Sequence, residues 1–133
     1  MKYSEQAFMD LHNEFIRCWD EAMANGKTEK LEAFYDKDFY HVVVFTTDDA
    51  KPMEFDYDQS IAGLKESVKA LIGSEKRFDN RVVRMQDHVR ASVFYEMVVI
   101  QGNDEVTRIF TIEGWTLIDN QWNVTREVNK IIK

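Results

Sequence analysis

Hydrophobic residues along this chain recur first at helical spacing and then at strand spacing. Over residues 4–25 the apolar positions Ala7, Phe8, Leu11, Phe15, Cys18, Trp19, Ala22 and Met23 fall three and four apart, one stripe of an amphipathic helix. Ser4 is the expected N-cap, and Gly26 the C-terminal stop. Thr28 opens a short second helix with Leu31, Phe34 and Tyr35 on one side. The period then drops to two. Residues 39–47 are rich in β-branched and aromatic side chains and predict a strand; after a turn at 48–52, residues 53–57 predict a short strand paired back. Asp58 is the expected N-cap of a third helix, whose stripe is Ile61, Leu64, Val68, Leu71 and Ile72 and whose stop is Gly73. Beyond it the pattern predicts strands alone, over 77–86, 89–101, 106–118 and 122–128. Tight turns at Asp87-His88, 102–105 and 119–121 make them an antiparallel meander.

Helices followed by hairpins predict an α+β fold in a single domain over residues 1–133: a curved antiparallel sheet wrapped around three N-terminal helices, a cone with an internal pocket. Composition adds a reason to expect that pocket. Three Trp, five Tyr and nine Phe make the chain 13% aromatic, more than a minimal core of this size needs. Seventeen Lys and Arg against 24 Asp and Glu give a net charge of −7, which argues against a nucleic-acid binder. No apolar run approaches the 18 residues of a membrane span, and the polar, acidic start lacks the apolar stretch of a signal peptide. A single cysteine, Cys18, excludes a disulfide framework and a cysteine-based zinc site, and a cytoplasmic location is the expectation. No His, Asp and Glu set has metal-ligand spacing, and no cofactor fingerprint occurs.

The order of long helix, short helix, strand pair, helix and four long strands resembles the nuclear-transport-factor-2-like superfamily, or cystatin-like α+β barrel, over essentially the whole chain. The segment Leu117-Ile118-Asp119-Asn120-Gln121-Trp122-Asn123-Val124 is similar to that family's final hairpin. Residues 31–44 resemble its passage from short helix to first strand, and residues 83–93 its third-to-fourth strand turn. The small ketosteroid-isomerase-like and polyketide-cyclase-like bacterial proteins are the nearest in pattern. The resemblance implies a conical pocket and a homodimer; it implies no particular reaction, because this fold hosts many.

Strand alternation sorts candidate residues onto faces. Turns taken at Asn103-Asp104 and Asp119-Asn120 place Phe94, Glu96, Val98, Ile109, Thr111, Glu113, Trp115, Leu117, Trp122, Val124 and Arg126 on one face. On that face Arg126 stands opposite Glu113 as a cross-strand pair, and Glu96 has no evident basic partner. A carboxyl among rings is a candidate general acid or base. The candidate catalytic set is therefore Glu96 or Glu113 as base, with Arg126 or His41 as electrophilic partner. Phe15, Trp19, Phe94 and Trp115 are the candidate ligand-binding rings. His12 is placed on the polar side of the first helix and His88 in a turn, neither with a role. Three functions compete. The first is a binding domain for a small apolar or aromatic molecule. The second is an isomerase, cyclase or dehydratase using a pocket carboxylate. The third is an interaction module built on the sheet, the face expected to pair two copies.

Overall fold

A computed structural model describes residues 2–48 and 51–132, with side chains described from Glu5. The elements are α1 (Lys2–Asn25), α2 (Glu29–Glu32), β1 (His41–Phe45), β2 (Met53–Asp56), α3 (Tyr57–Leu71), β3 (Glu75–Asp87), β4 (Arg90–Gln101), β5 (Asp104–Ile118) and β6 (Gln121–Ile131). This is the expected α+β order. The six strands form one unclosed sheet in the order β2-β1-β6-β5-β4-β3. All neighbours are antiparallel except β1 and β6, which run parallel. α1 packs against β3, and α3 against β1, β2 and α1.

The helix ends explain where the layers sit. Gly26 takes a left-handed φ of +80°, and its N–H bonds the Ala22 carbonyl at 2.8 Å, closing α1 as expected of a C-terminal glycine. Gly73, at φ +86°, closes α3 and donates its N–H to the Met23 carbonyl at 2.8 Å, which ties the end of α3 to α1. Two expected caps move. α1 already begins at Lys2, so Ser4 lies within the helix rather than before it. α3 is capped by Asp56, not Asp58. The Asp56 carboxylate accepts from the Gln59 N–H at 2.9 Å, and the Gln59 side chain accepts from the Asp56 N–H at 3.0 Å, a reciprocal box that Asp58 has no part in. Of the turn carboxylates at 48 and 49, Asp49 lies outside the described residues.

Among the described residues, four irregularities interrupt the sheet; besides one at Gln86, near the end of β3, three curve it and decide which side chains point inward. In β3 an extra residue sits between Asp79 and Val82, with Asn80 at φ +57°. In β5 one sits between Glu105 and Thr107, opposite Val99-Ile100. In β6 one sits at Thr125, because Gly114 pairs with Arg126 whereas Trp115 pairs with Val124. The narrow end of the cone is filled by rings. Trp115 meets Phe8, Phe15 and Phe34 edge-on at centroid distances of 5.6, 5.1 and 6.1 Å. The aromatic surplus is thus divided between a packed apex and the walls of the open end. Among the described residues, no helix is long and apolar enough to cross a membrane.

Candidate functional site

The open end of the cone holds a cavity of about 360 Å³ between α3 and the concave face of the sheet. Its walls are apolar: Val42 and Val44 from β1, Phe55 from β2, Ile61 and Leu64 from α3, Phe78 from β3, Met97 from β4, and Ile109 and Ile131 from β5 and β6. Trp19 and Tyr35 close one side. Into this lining project Tyr40, Lys76, Tyr95, Thr111, Glu127 and Asn129. Ser60 of α3 also lines the cavity, and its buried hydroxyl has no hydrogen-bond partner among the described residues.

Glu127 is the carboxyl group in the cavity wall. Tyr40 donates its hydroxyl to Glu127 Oε1 at 2.8 Å, and Asn129 Nδ2 donates to Oε2 at 2.9 Å. Thr111 donates to Asn129 Oδ1 at 2.8 Å, which fixes the amide with its NH2 toward Glu127. Burial pushes the Glu127 carboxyl up to about 7, and the charge of Glu113 on the neighbouring strand adds to that. The two hydrogen bonds and Lys76 pull it down. A carboxyl so placed holds both protonated and ionised populations near neutrality, the condition for general acid–base work. Burial also raises the Tyr40 phenol far above its usual range, so it stays a neutral donor.

Lys76, from the start of β3, stands with Nζ 3.3 Å from the centroid of the Trp19 ring. Burial pushes its ammonium down to about 7, partly opposed by the charge of Glu127. Two groups of opposite sign, each balanced between its charged and neutral forms near pH 7, therefore share one wall.

Behind Tyr95 lies a second carboxylate. Glu113 is 1% exposed and accepts from Trp115 Nε1 at 2.8 Å, from the Tyr95 hydroxyl and from His12 Nε2 at 2.9 Å. Arg81 Nη1 lies 2.9 Å from His12 Nδ1, and its Nη2 donates to Asn13 at 2.8 Å. A guanidinium only donates, so His12 Nδ1 is the acceptor and Nε2–H the donor: the imidazole is neutral and its tautomer is set. Glu113 is then an anion held by three donors, with Arg81 as counter-charge one ring away. The β3 irregularity at Asn80 is what turns Arg81 inward to reach α1.

These placements correct several expectations. The extra residue at Thr125 reverses the alternation of β6 beyond Val124. Glu113 faces Glu127 across the strands, and Arg126 faces Gly114 and is exposed, so the expected Glu113–Arg126 pair does not form. The β4–β5 turn is Gly102-Asn103, with the irregularity at Val106 above it, so Glu96 opposes Phe110 rather than Thr111. Tyr95 and Met97 therefore face the cavity, whereas Phe94 is 39% exposed on the convex side. Glu96 has basic company after all: Arg108 Nη1 at 2.7 Å, with Asn80 Nδ2 at 2.8 Å. His41 is exposed at the start of β1, in register with Arg126 and apart from the cavity lining. Of the four expected ligand rings, Trp19 lines the cavity, and Phe15 and Trp115 are fully buried in the apex. His12, expected on a polar face, is completely buried. Its spacing held the signal: Phe8, His12, Phe15 and Trp19 are four, three and four apart, the centre of the α1 stripe. Lys76, two residues before Phe78, lies in phase with the inward positions of β3. Among the described residues, no group of three or more His, Cys, Asp or Glu stands where it could hold a metal ion.

No protein-family model matches the chain, and no curated protein matches it in sequence. Solved structures do match. A nuclear-transport-factor-2-like protein of unknown function from Pseudomonas putida KT2440 superposes with a TM-score of 0.70 at 16% identity, over 94% of this chain and 87% of that one. A protein of unknown function with a cystatin-like fold from Nostoc punctiforme gives 0.62 at 12% identity, over 90% and 86%. A candidate ketosteroid isomerase from Parabacteroides distasonis gives 0.60 at 16% identity, over 89% and 85%. At these identities the likeness concerns the fold alone, and that fold is the nuclear-transport-factor-2-like, or cystatin-like, one.

Proposed function

We propose that this chain binds a small, mostly apolar or aromatic molecule in the open end of the cone, with the molecule's polar end toward Glu127, Asn129 and Lys76. The observation that carries this reading is the cavity itself. About 360 Å³ of space is walled largely by aliphatic and aromatic side chains, with Lys76, Thr111, Glu127 and Asn129 as polar groups on the sheet side and Gln59, Ser60 and Ser67 on α3. The unpartnered Ser60 hydroxyl is a further polar atom open to a ligand. Gly63 provides the test. It lines the cavity from α3, and a Cβ built there meets open space, so Gly63→Trp fills the cavity without backbone strain. The neutral apolar dye N-phenyl-1-naphthylamine is expected to bind the wild-type chain and quench Trp19. Gly63→Trp is expected to weaken that binding by about tenfold or more. Equal affinity in the two proteins sinks the proposal.

A second reading, an enzyme of the isomerase, cyclase or dehydratase kind, is favoured by one observation: Glu127 lines the apolar cavity with its carboxyl held only by the Tyr40 hydroxyl and the Asn129 amide, and burial raises it toward neutrality. It moves the acid–base role from Glu96 and Glu113 to Glu127. The expected result is catalysed hydrogen–deuterium exchange at the α-carbon of 2-tetralone, abolished in Glu127→Gln. Exchange at the buffer rate in the wild type rejects this reading and leaves binding intact.

The convex face supports a homodimer as the partner state. Val82, Phe94 and Ile112 are exposed and lie side by side, since Phe94 is in register with both of the others. Sedimentation equilibrium is expected to show a dimer for the wild type and a monomer for Phe94→Lys. A monomeric wild type leaves that face to a different protein.

A further inference from the structure

Simple binding uses Lys76 only as one of the polar groups that face the ligand and leaves its amine chemistry unused. Lys76 reaches the cavity from the first residues of β3 and lies over the Trp19 ring. Among the described residues, no carboxylate lies within ion-pair distance of its Nζ. The acid that shares the cavity wall with it is Glu127, and Glu113 lies behind the same wall. Two carboxyl groups make the cavity a poor host for an anion, so an anchoring role toward a ligand carboxylate or phosphate is disfavoured. An amine with no carboxylate at contact distance, in an apolar cavity beside a proton carrier, is instead suited to a neutral electrophile. We propose that Lys76 captures a small apolar or aromatic aldehyde or ketone as a Schiff base in this cavity, with Glu127 carrying the protons; the proposal rests on the pocket reading above.

The chemistry balances within the residues present. The neutral amine of Lys76 adds to the carbonyl carbon. A C–N bond forms as the π pair of the C=O bond moves to oxygen. That oxygen takes the proton of the Glu127 carboxyl, and the resulting carboxylate takes one proton from the new ammonium, leaving a neutral carbinolamine. Glu127 then returns the proton to the hydroxyl. The C–O bond breaks, water leaves, and the nitrogen lone pair closes the iminium. Tyr40 and Asn129 hold the Glu127 oxygens through both transfers. Burial of the ammonium supports the first step. At pH 7 the neutral fraction of an amine balanced near 7 exceeds that of an ordinary lysine on the order of a thousandfold.

The test is reductive trapping on the full chain. Benzaldehyde has no α-hydrogen and so reports imine formation separately from enolisation. With sodium cyanoborohydride at pH 7 it converts an imine into a stable benzylamine. Peptide mapping is expected to place the benzyl group on Lys76 at about tenfold or more the level of any other lysine, and Lys76→Arg is expected to remove that peak. Labelling spread evenly over the lysines, or a bare Lys76, overturns the proposal. N-phenyl-1-naphthylamine binding on the same sample separates the two failures. Dye bound with Lys76 unlabelled rejects the covalent step and keeps the pocket; no dye bound rejects both.

Discussion

The concave and convex faces of this sheet carry the same kinds of charged residue and treat them in opposite ways. On the convex side Glu96, Glu105 and Arg108 form a cluster, with Arg108 2.7 Å from each carboxylate. Arginine and water are both within reach, so the Glu96 carboxyl lies below its usual range, chiefly through Asn80 and Arg108. On the concave side Glu127 has a phenol and an amide as hydrogen-bond partners, and burial outweighs both. Glu113 takes three neutral donors, with its arginine one ring removed. The lesson is that a carboxylate is made reactive by what it lacks. Where a guanidinium touches it, as at Glu96, it is held as an anion; where only a phenol and an amide hold it in an apolar wall, as at Glu127, it can exchange a proton.

Glu113→Ala puts the concave side to its severest trial. The substitution leaves the Tyr95 hydroxyl and the Trp115 and His12 N–H groups buried without an acceptor, and Arg81 without its counter-charge. Breaking a buried charged network by removing one partner costs about 3–5 kcal/mol. Urea unfolding of Glu113→Ala is expected to show a loss of that order. A loss below 1 kcal/mol would mean that water reaches the network.

Glu127 and Lys76 predict an unusual pH dependence. Glu127 keeps its proton up to about pH 7 when folded, and in the unfolded chain only to about 4.5. Unfolding releases that proton between the two values, so stability falls as pH rises through this window. Lys76 does the converse. Between about 7 and 10.5 the unfolded chain binds a proton that the folded chain lacks, and stability rises with pH. The two effects meet in a minimum near neutral pH. Glu127→Gln removes the falling limb and is expected to gain on the order of 2–3 kcal/mol relative to wild type at pH 8. Lys76→Met removes the rising limb, its gain appearing below pH 7. Urea titrations from pH 4 to 10 check both, and a wild-type maximum at pH 7 contradicts the burial assigned to the pair.

The sequence made the fold legible because periodicity survives averaging. The α1 stripe, the glycine stops and the four long strands all stand where the spacing predicts them. Face assignment along a strand is different in kind, since every position depends on all those before it. A single extra residue at Thr125 exchanges Arg126 for Glu127 on the concave side, and the extra residue at Val106 in β5 exchanges Glu96 for Tyr95 and Met97. Glu113 is legible as a carboxyl on a face of rings, because the alternation of β5 follows the sequence; its partners His12 and Arg81 are not, because they arrive from α1 and from a strand irregularity. Gly114 was a clue at hand. A Cβ there would stand 2.9 Å from Arg126 Cγ, so the glycine makes room for the Arg126 side chain where the β6 alternation reverses.

Glu96→Gln tests the convex half of the contrast, where little should happen. The glutamine keeps an oxygen for Arg108 and loses the charge and the exposed acceptor of Asn80 Nδ2, and Arg108 retains Glu105 at 2.7 Å. The pair is in contact with solvent, so its attraction is screened by water and salt. Glu96 lies below its usual carboxyl range, so what it contributes is present at neutral pH and is lost as pH falls through its folded-state value. The expected result is a urea midpoint at pH 7 barely displaced at low salt, indistinguishable from wild type in molar sodium chloride, and no change in N-phenyl-1-naphthylamine binding. A substantial loss that persists in high salt would show that the convex cluster is shielded from solvent. The second copy proposed to cover the neighbouring Phe94 strip would provide that shielding, and the loss should then depend on protein concentration.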